Sequence, residues 1–185
     1  MLKKLILCSA ISIAAFTAPA YAMDEAKAKE LLSGKINTWL NSPVIIDAIK
    51  AQNTAHTDLS QDAVVALDNK WRADDKDLID TTLSNDLSKY LSGVVGDGGG
   101  LYSEIFVMDN KGLNVGQSSK TSDYWQGDEA KWQKTYSVGP NAIHLSEVEF
   151  DESSQTYQVQ LSTTVSENGV AIGAITIGVD AEMAE

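Results

Sequence analysis

The chain has 185 residues, 43% hydrophobic and 22% charged, with a net charge of −12. That length suits one domain with a sizeable core. A lone cysteine leaves no intramolecular disulfide, and the acidic surplus opposes binding to nucleic acid or to anionic membrane surfaces.

Residues 1–22 read as a cleavable secretory signal. Lys3 and Lys4 precede an apolar run from Leu5 to Phe16 that is too short to span a bilayer. Ala20-Tyr21-Ala22 supplies the small residues that signal peptidase reads, which places the cut before Met23. Leu7 stands before Cys8 where a lipobox wants a small residue, so ordinary cleavage is expected rather than lipid anchoring. Cleavage removes two lysines and no acid, taking the net charge from −12 to −14, and it removes the cysteine. No later apolar run is long enough for stable membrane insertion.

The mature chain changes period near its middle. Leu31, Leu32, Ile36, Trp39 and Leu40 recur at helical spacing over 24–40. Asn41-Ser42-Pro43 ends that helix and starts the next, with Ser42 as N-cap and Pro43 at the first helical position. Ser60 is the next expected N-cap, ahead of a stripe of Val64, Leu67 and Trp71. Helical spacing continues through Leu78, Ile79 and Leu83, then through Leu87, Tyr90 and Leu91. The glycine-rich run from Gly96 to Gly100 is expected to break it. Strands follow over 103–109 and 113–118, joined by a turn at Asn110-Lys111-Gly112. A helical insertion is expected over 129–136, then strands over 142–150 and 157–165. Asn168-Gly169 is the signal for a type I′ turn into a last strand over 170–179. The organisation is therefore one domain over 23–185, with a helical region to residue 100 and a sheet with a helical insertion over 101–185. The fold class is α+β, with helices packed on a five-stranded antiparallel sheet.

Catalytic constellations are thin. His56 lies in a polar stretch, and His144 lies near Ser146 and Glu147 on a strand. The run Gly116-Gln117-Ser118-Ser119-Lys120 lacks the closing glycine of a nucleophile elbow. No clustered His or Cys ligands suit zinc, and no acidic loop has calcium-loop spacing. The expectation is a non-enzyme with no catalytic residue, metal or cofactor. The segment 121–132 differs from the rest, with three aromatics, three acids, a lysine and an amide. Such a mixture suits either a small-molecule pocket or an insertion pinned to the sheet by Trp125 and Trp132, with Asp128 as a helix cap.

The run Ile105-Phe106-Val107-Met108-Asp109-Asn110-Lys111-Gly112, followed by Ser122-Asp123-Tyr124-Trp125-Gln126-Gly127-Asp128-Glu129, resembles the PAS-like, single-module Cache sensor domains of the periplasm. The close over 172–180 is similar to the last strand of that family. The resemblance covers about residues 60–180. It implies a long N-terminal helix beside a five-stranded sheet and a small ligand held between the sheet and its loops. On that pattern Tyr124, Trp125, Lys131 and Trp132 line the pocket, with Phe106 and Asp180 on the sheet side. Lys131 is then suited to a ligand carboxylate, Asp128 or Asp180 to an amine, and Arg72 to an anion. Family members commonly sit between two membrane helices. Here the leader reads as cleavable and the chain stops soon after the last strand. The reading is a soluble periplasmic protein that binds a carboxylate or amino-acid-like metabolite and reports to a membrane receptor. The alternative is an interaction protein, a homodimer for instance, that uses the same fold without a ligand.

Overall fold

The computed structural model describes residues 23–151 and 156–184, so the expected signal segment lies outside the described residues. Helices come first. Asp24 caps α1 (Glu25–Leu31) by accepting from the Lys27 amide at 2.8 Å. The helix runs on through a π-helical turn (Leu32–Ile36) into α2 (Asn37–Leu40). The first helix predicted over 24–40 is thus present, with one wide turn inside it. Pro43 opens α3 (Pro43–Ala55), and Ser42 before it is extended but forms no side-chain cap bond. Ser60 caps α4 (Gln61–Arg72) through the Ala63 amide at 3.3 Å. Asp75 and Asn85 do the same for α5 (Lys76–Ser84) and α6 (Asp86–Asp97). Helix α6 carries two turns of contact with the core through Leu87 and Leu91, and it runs through Gly96, where a break was expected.

The strands are β1 (Tyr102–Met108), β2 (Asn114–Gln117), β3 (Ile143–Leu145), β4 (Glu149–Asp151), β5 (Thr156–Glu167) and β6 (Val170–Asp180). They form one antiparallel sheet in the order β2-β1-β6-β5-β3, with β4 also on β5. Asn168 (φ +51°) and Gly169 (φ +77°) are both left-handed, as the type I′ turn between β5 and β6 requires. The single strand predicted over 142–150 is divided into β3 and β4, giving six segments rather than five. The cause is a cross-strand contact: Ser146 Oγ accepts the Gln160 amide at 2.9 Å, so a side chain interrupts the ladder. The predicted insertion helix is a single turn, α7 (Ala130–Gln133). Beyond it the backbone bonds close at three-residue spacing, Thr135 to Trp132 and Val138 to Thr135, which tightens the chain into turns.

Strand alternation divides the sheet between two environments. Ile105, Val107, Leu161, Val165, Ile175, Ile177 and Val179 share a core with Ile36, Ile45, Ile49 and Leu91 from the helices. On the opposite face, Phe106, Met108 and Ala174 pack under Trp132 and Tyr136. A smaller core of Val64, Trp71, Leu113 and Tyr124 ties α4 to the chain that follows β1. The fold is α+β, a PAS-like antiparallel sheet with its main helical layer on one side. Among the described residues no helix is long and apolar enough to cross a membrane.

Candidate functional site

The sheet face turned away from the main helical layer is the unusual one. Along β5 the residues between the core positions are Gln158, Gln160, Ser162 and Thr164, and on β1 Glu104 precedes Phe106. A solvated strand face usually carries long charged side chains, but Gln158, Ser162 and Thr164 are buried. They are buried because the chain from Ser118 to Tyr136 folds back over them. Between this cover and the sheet lies a cleft of about 270 Å³. Its floor is Glu104, Phe106, Gln158 and Gln160, and its wall is Lys120, Thr121, Ser122, Gln126 and Lys131. Larger hollows of about 490, 460 and 600 Å³ lie against the helices. The sheet cleft stands out by chemistry, since Glu104, Lys131 and three glutamines line it together with the Phe106 ring, and Lys120 stands at its rim.

Hydrogen bonds order the floor. Glu104 Oε1 accepts from Gln160 Nε2 at 3.0 Å and from Gln158 Nε2 at 3.4 Å. Gln158 Oε1 in turn accepts from the Ser103 hydroxyl. Lys131 Nζ sits 5.3 Å from the centre of the Phe106 ring, a cation–π distance, and pairs with Glu129 at 2.8 Å. The Lys131 side chain is 16% exposed, so its charge is largely committed to the cleft. Lys120 at the outer rim is ion-paired with Asp74 and lies 5.8 Å from the Trp71 ring. Among the described residues no group of three or more His, Cys, Asp or Glu side chains is placed to hold a metal ion.

His144 stands beside this region on β3, opposite Ser162. Burial first, and then the charges of Lys134 and Lys131, hold its imidazole below the ordinary value of 6.5. In the unfolded chain it therefore takes up a proton at a higher pH than in the fold. Its share of stability is present above 6.5 and is lost as the pH falls below that value. Urea unfolding at pH 7.5 and pH 5 is expected to show a smaller acid-induced loss for His144→Gln than for the wild type; equal losses would remove His144 from the account.

The eight residues expected at the ligand are not all brought together. Phe106 and Lys131 meet at the cleft. Trp132 lies next to them, stacked on Tyr136 at 5.0 Å with its indole N–H donating to the Asp109 carbonyl at 3.1 Å, and it roofs the adjoining part of the sheet. Tyr124 is 6% exposed, stacked on Trp71 at 5.4 Å in the α4 core. Burial pushes its phenol up to about 12, so it stays neutral. Trp125 donates its indole N–H to the Lys111 carbonyl at 2.9 Å and fastens the wall to the β1–β2 turn. Gly127 of the same motif has a packing reason, since a Cβ there would run into the Trp125 indole, and a Cβ on Gly112 (φ +80°) would run into Gly127. Asp128 is exposed and does not cap α7, whose N-cap is Glu129 without a side-chain bond. Asp180 accepts from the amides of Glu182 and Met183 and stabilises the turn after β6. Arg72 holds Asp68 at 2.7 Å and Asp123 at 3.3 Å, behind the wall rather than in the cleft. Tyr124, Trp125, Asp128, Asp180 and Arg72 are therefore structural or peripheral in this geometry.

Glu104, Lys120, Thr121, Ser122, Gln126, Gln158 and Gln160 also line the cleft and are not among the eight residues expected from sequence. The usable signal was the amide and hydroxyl stripe of β5. Its residue types favour a covered polar face over an open one.

No protein-family profile matches the chain, and no curated protein matches it. Solved structures do. The sensor domain of the V. cholerae histidine kinase DctB is similar at 13% identity and a TM-score of 0.44, over 86% of this chain and 55% of that one. The sensory domain of the Campylobacter jejuni chemoreceptor Tlp3 with isoleucine bound is similar at 14% identity and a TM-score of 0.39, over 88% of this chain and 66% of that one. The Tlp3 ligand-binding domain in complex with L-valine gives the same identity, TM-score and coverage. The chain thus spans between 55% and 66% of the length of these structures. The solved structures to which it is similar are Cache-type sensor domains, the group that its segment 105–129 resembles.

Proposed function

We propose that this chain is a Cache-type binding domain that holds a small zwitterionic metabolite, an amino acid or a close analogue, in the cleft over its sheet. The observation that carries this reading is the opposed charge in a small, half-enclosed space. Glu104 and the amide oxygens of the floor suit an ammonium group, while Lys131 with the Ser122 hydroxyl suits a carboxylate. A volume of about 270 Å³ falls below the range of drug-sized pockets and favours a compact ligand. Lys131 already has Glu129 as a partner, but the Glu129 side chain is 35% exposed. Glu129 is the more exposed partner, so a ligand carboxylate that takes its place on Lys131 releases it into water. The Phe106 ring supplies the apolar surface against which the ligand's backbone rests. The proposal extends to export, supported by the pattern of residues 1–22, and to a membrane receptor that reads the occupied state.

The test is calorimetry and thermal shift with single L-amino acids and small dicarboxylates. At a hundredfold excess over Kd a true ligand adds about 2.7 kcal/mol of stability. Glu104→Gln and Lys131→Met each remove one charge-assisted contact and are expected to weaken binding by roughly 10- to 100-fold. Absence of any stabilising compound, or full affinity in both variants, would overturn the reading.

A further inference from the structure

The wall of the cleft is held from behind by α4 as well as from the side of β2. Asp68 is 7% exposed and aims its carboxylate at the wall. Its Oδ1 accepts from the backbone N–H of Tyr124 at 2.9 Å and of Trp125 at 3.1 Å. Its Oδ2 accepts from Arg72 Nε at 2.7 Å, and Arg72 reaches on to Asp123. Trp71, almost one turn further along α4, donates its indole N–H to the Thr121 carbonyl at 2.8 Å. These are charge-assisted or buried bonds to consecutive parts of one segment.

The same segment is also bonded to β2 and the turn before it: the Asn114 amide donates to the Tyr124 carbonyl at 2.9 Å and the Gln126 amide to the Gly112 carbonyl at 2.7 Å. Asn114 Nδ2 bonds Gln117, Thr121 and Asp123, but Asn114 Oδ1, Gln117 Nε2 and Gln126 Oε1 are buried without a partner among the described residues. Each such orphan opposes the closed arrangement by about 1–3 kcal/mol. The wall is thus held from both sides, and on the α4 side a single carboxylate, that of Asp68, takes two of its consecutive amides.

We infer that Asp68 is the positioning residue of the cleft: by fixing two adjacent wall amides it sets Thr121, Ser122 and Gln126 opposite Glu104 and Gln160, and it makes α4 the element that moves with the wall. This inference rests on the ligand reading for its consequence but on geometry alone for its mechanism, so the experiment has two arms. In the first, hydrogen exchange of the purified protein without added ligand compares the wild type with Asp68→Ala, Asp68→Asn and Ile49→Val. Ile49 lies in the helix-side core, and its shortening lowers stability without touching the wall. The Tyr124 and Trp125 amides are expected to exchange about tenfold faster in Asp68→Ala, less so in Asp68→Asn, which keeps one acceptor oxygen, and as in the wild type in Ile49→Val. In the second arm each proteinogenic L-amino acid is titrated singly. Any that stabilises the wild type is expected to bind Asp68→Ala about tenfold more weakly, equivalent to ~1.4 kcal/mol, and Ile49→Val unchanged. Unchanged exchange at residues 124 and 125, or faster exchange with unchanged affinity, would overturn the assignment. If no amino acid stabilises the wild type, the ligand reading fails and the exchange arm still decides the positioning role. Should Asp68→Ala not fold, Asp68→Asn carries both comparisons.

Discussion

Replacing Asp109 by alanine is expected to lower the unfolding free energy by about 3–4 kcal/mol, because it leaves several donors without an acceptor at once. Asp109 follows β1 and is fully buried. Its Oδ1 accepts from the amides of Lys111 at 2.8 Å and Leu113 at 2.9 Å, which shapes the β1–β2 turn. Its Oδ2 accepts from Gln52 Nε2 at 3.0 Å and faces His56 Nδ1 at 2.8 Å, which ties the turn to α3. Alanine removes all four bonds, and water does not reach the buried amide of Leu113. Asparagine is expected to cost about half as much. With its oxygen toward Lys111 and Leu113 it keeps the turn, and His56 can meet the new NH₂ by changing tautomer. Urea unfolding reads both values, with the slope unchanged if the loss is in the native fold. Equal losses for the two variants would show that the α3 contact, and not the turn, holds the region.

Trp71→Ala is expected to cost a further-reaching 3–5 kcal/mol, the range for deleting a fully buried large aromatic side chain. Trp71 has no exposed surface and stands at the centre of the small core with Val64, Leu113 and Tyr124. Its removal deletes the stacking on Tyr124 and the bond to Thr121, so the cavity opens where α4 meets the wall. Trp71→Phe keeps most of the apolar volume and loses mainly the indole bond, for about 1–2 kcal/mol. For a domain of this size each kcal/mol corresponds to about 2–4 °C in Tm, so thermal melts separate the two variants. A Phe variant as unstable as the Ala variant would make the hydrogen bond, rather than the packing, the main contribution.

Local rules made much of the fold legible. The capping residue Ser60, the Pro43 start and the Asn168-Gly169 turn each act through their own few neighbours, and the structure has them in those roles. What sequence could not show was set by contacts at long range. The splitting of 142–150 depends on Ser146 meeting Gln160 across the sheet. The shortening of the insertion helix depends on Trp132 and Tyr136 both packing on the sheet. Of the residues expected at a ligand, Phe106 and Lys131 line the sheet cleft. Tyr124 and Arg72 sit on the α4 side of the wall, and an aromatic or a cation next to a motif carries no mark of which side it faces. Glu104 and the β5 amides were hidden for the opposite reason: alternation identified the polar face, and only the returning chain made that face an interior one.

The divided third strand has a consequence for how the molecule behaves among copies of itself. An uninterrupted strand at the margin of a sheet offers a row of unpaired N–H and C=O groups on which another chain can polymerise. The two longest strands, β5 with 12 residues and β6 with 11, lie inside the sheet. At one margin stand two three-residue pieces separated where the Ser146 hydroxyl takes the place of a carbonyl. At the other margin β2 has four residues, and the Asn114 amide is already bonded to the Tyr124 carbonyl of the folded-back chain. Resistance to fibril-like stacking is thus built into the way both margins are finished, independently of the acidic net charge.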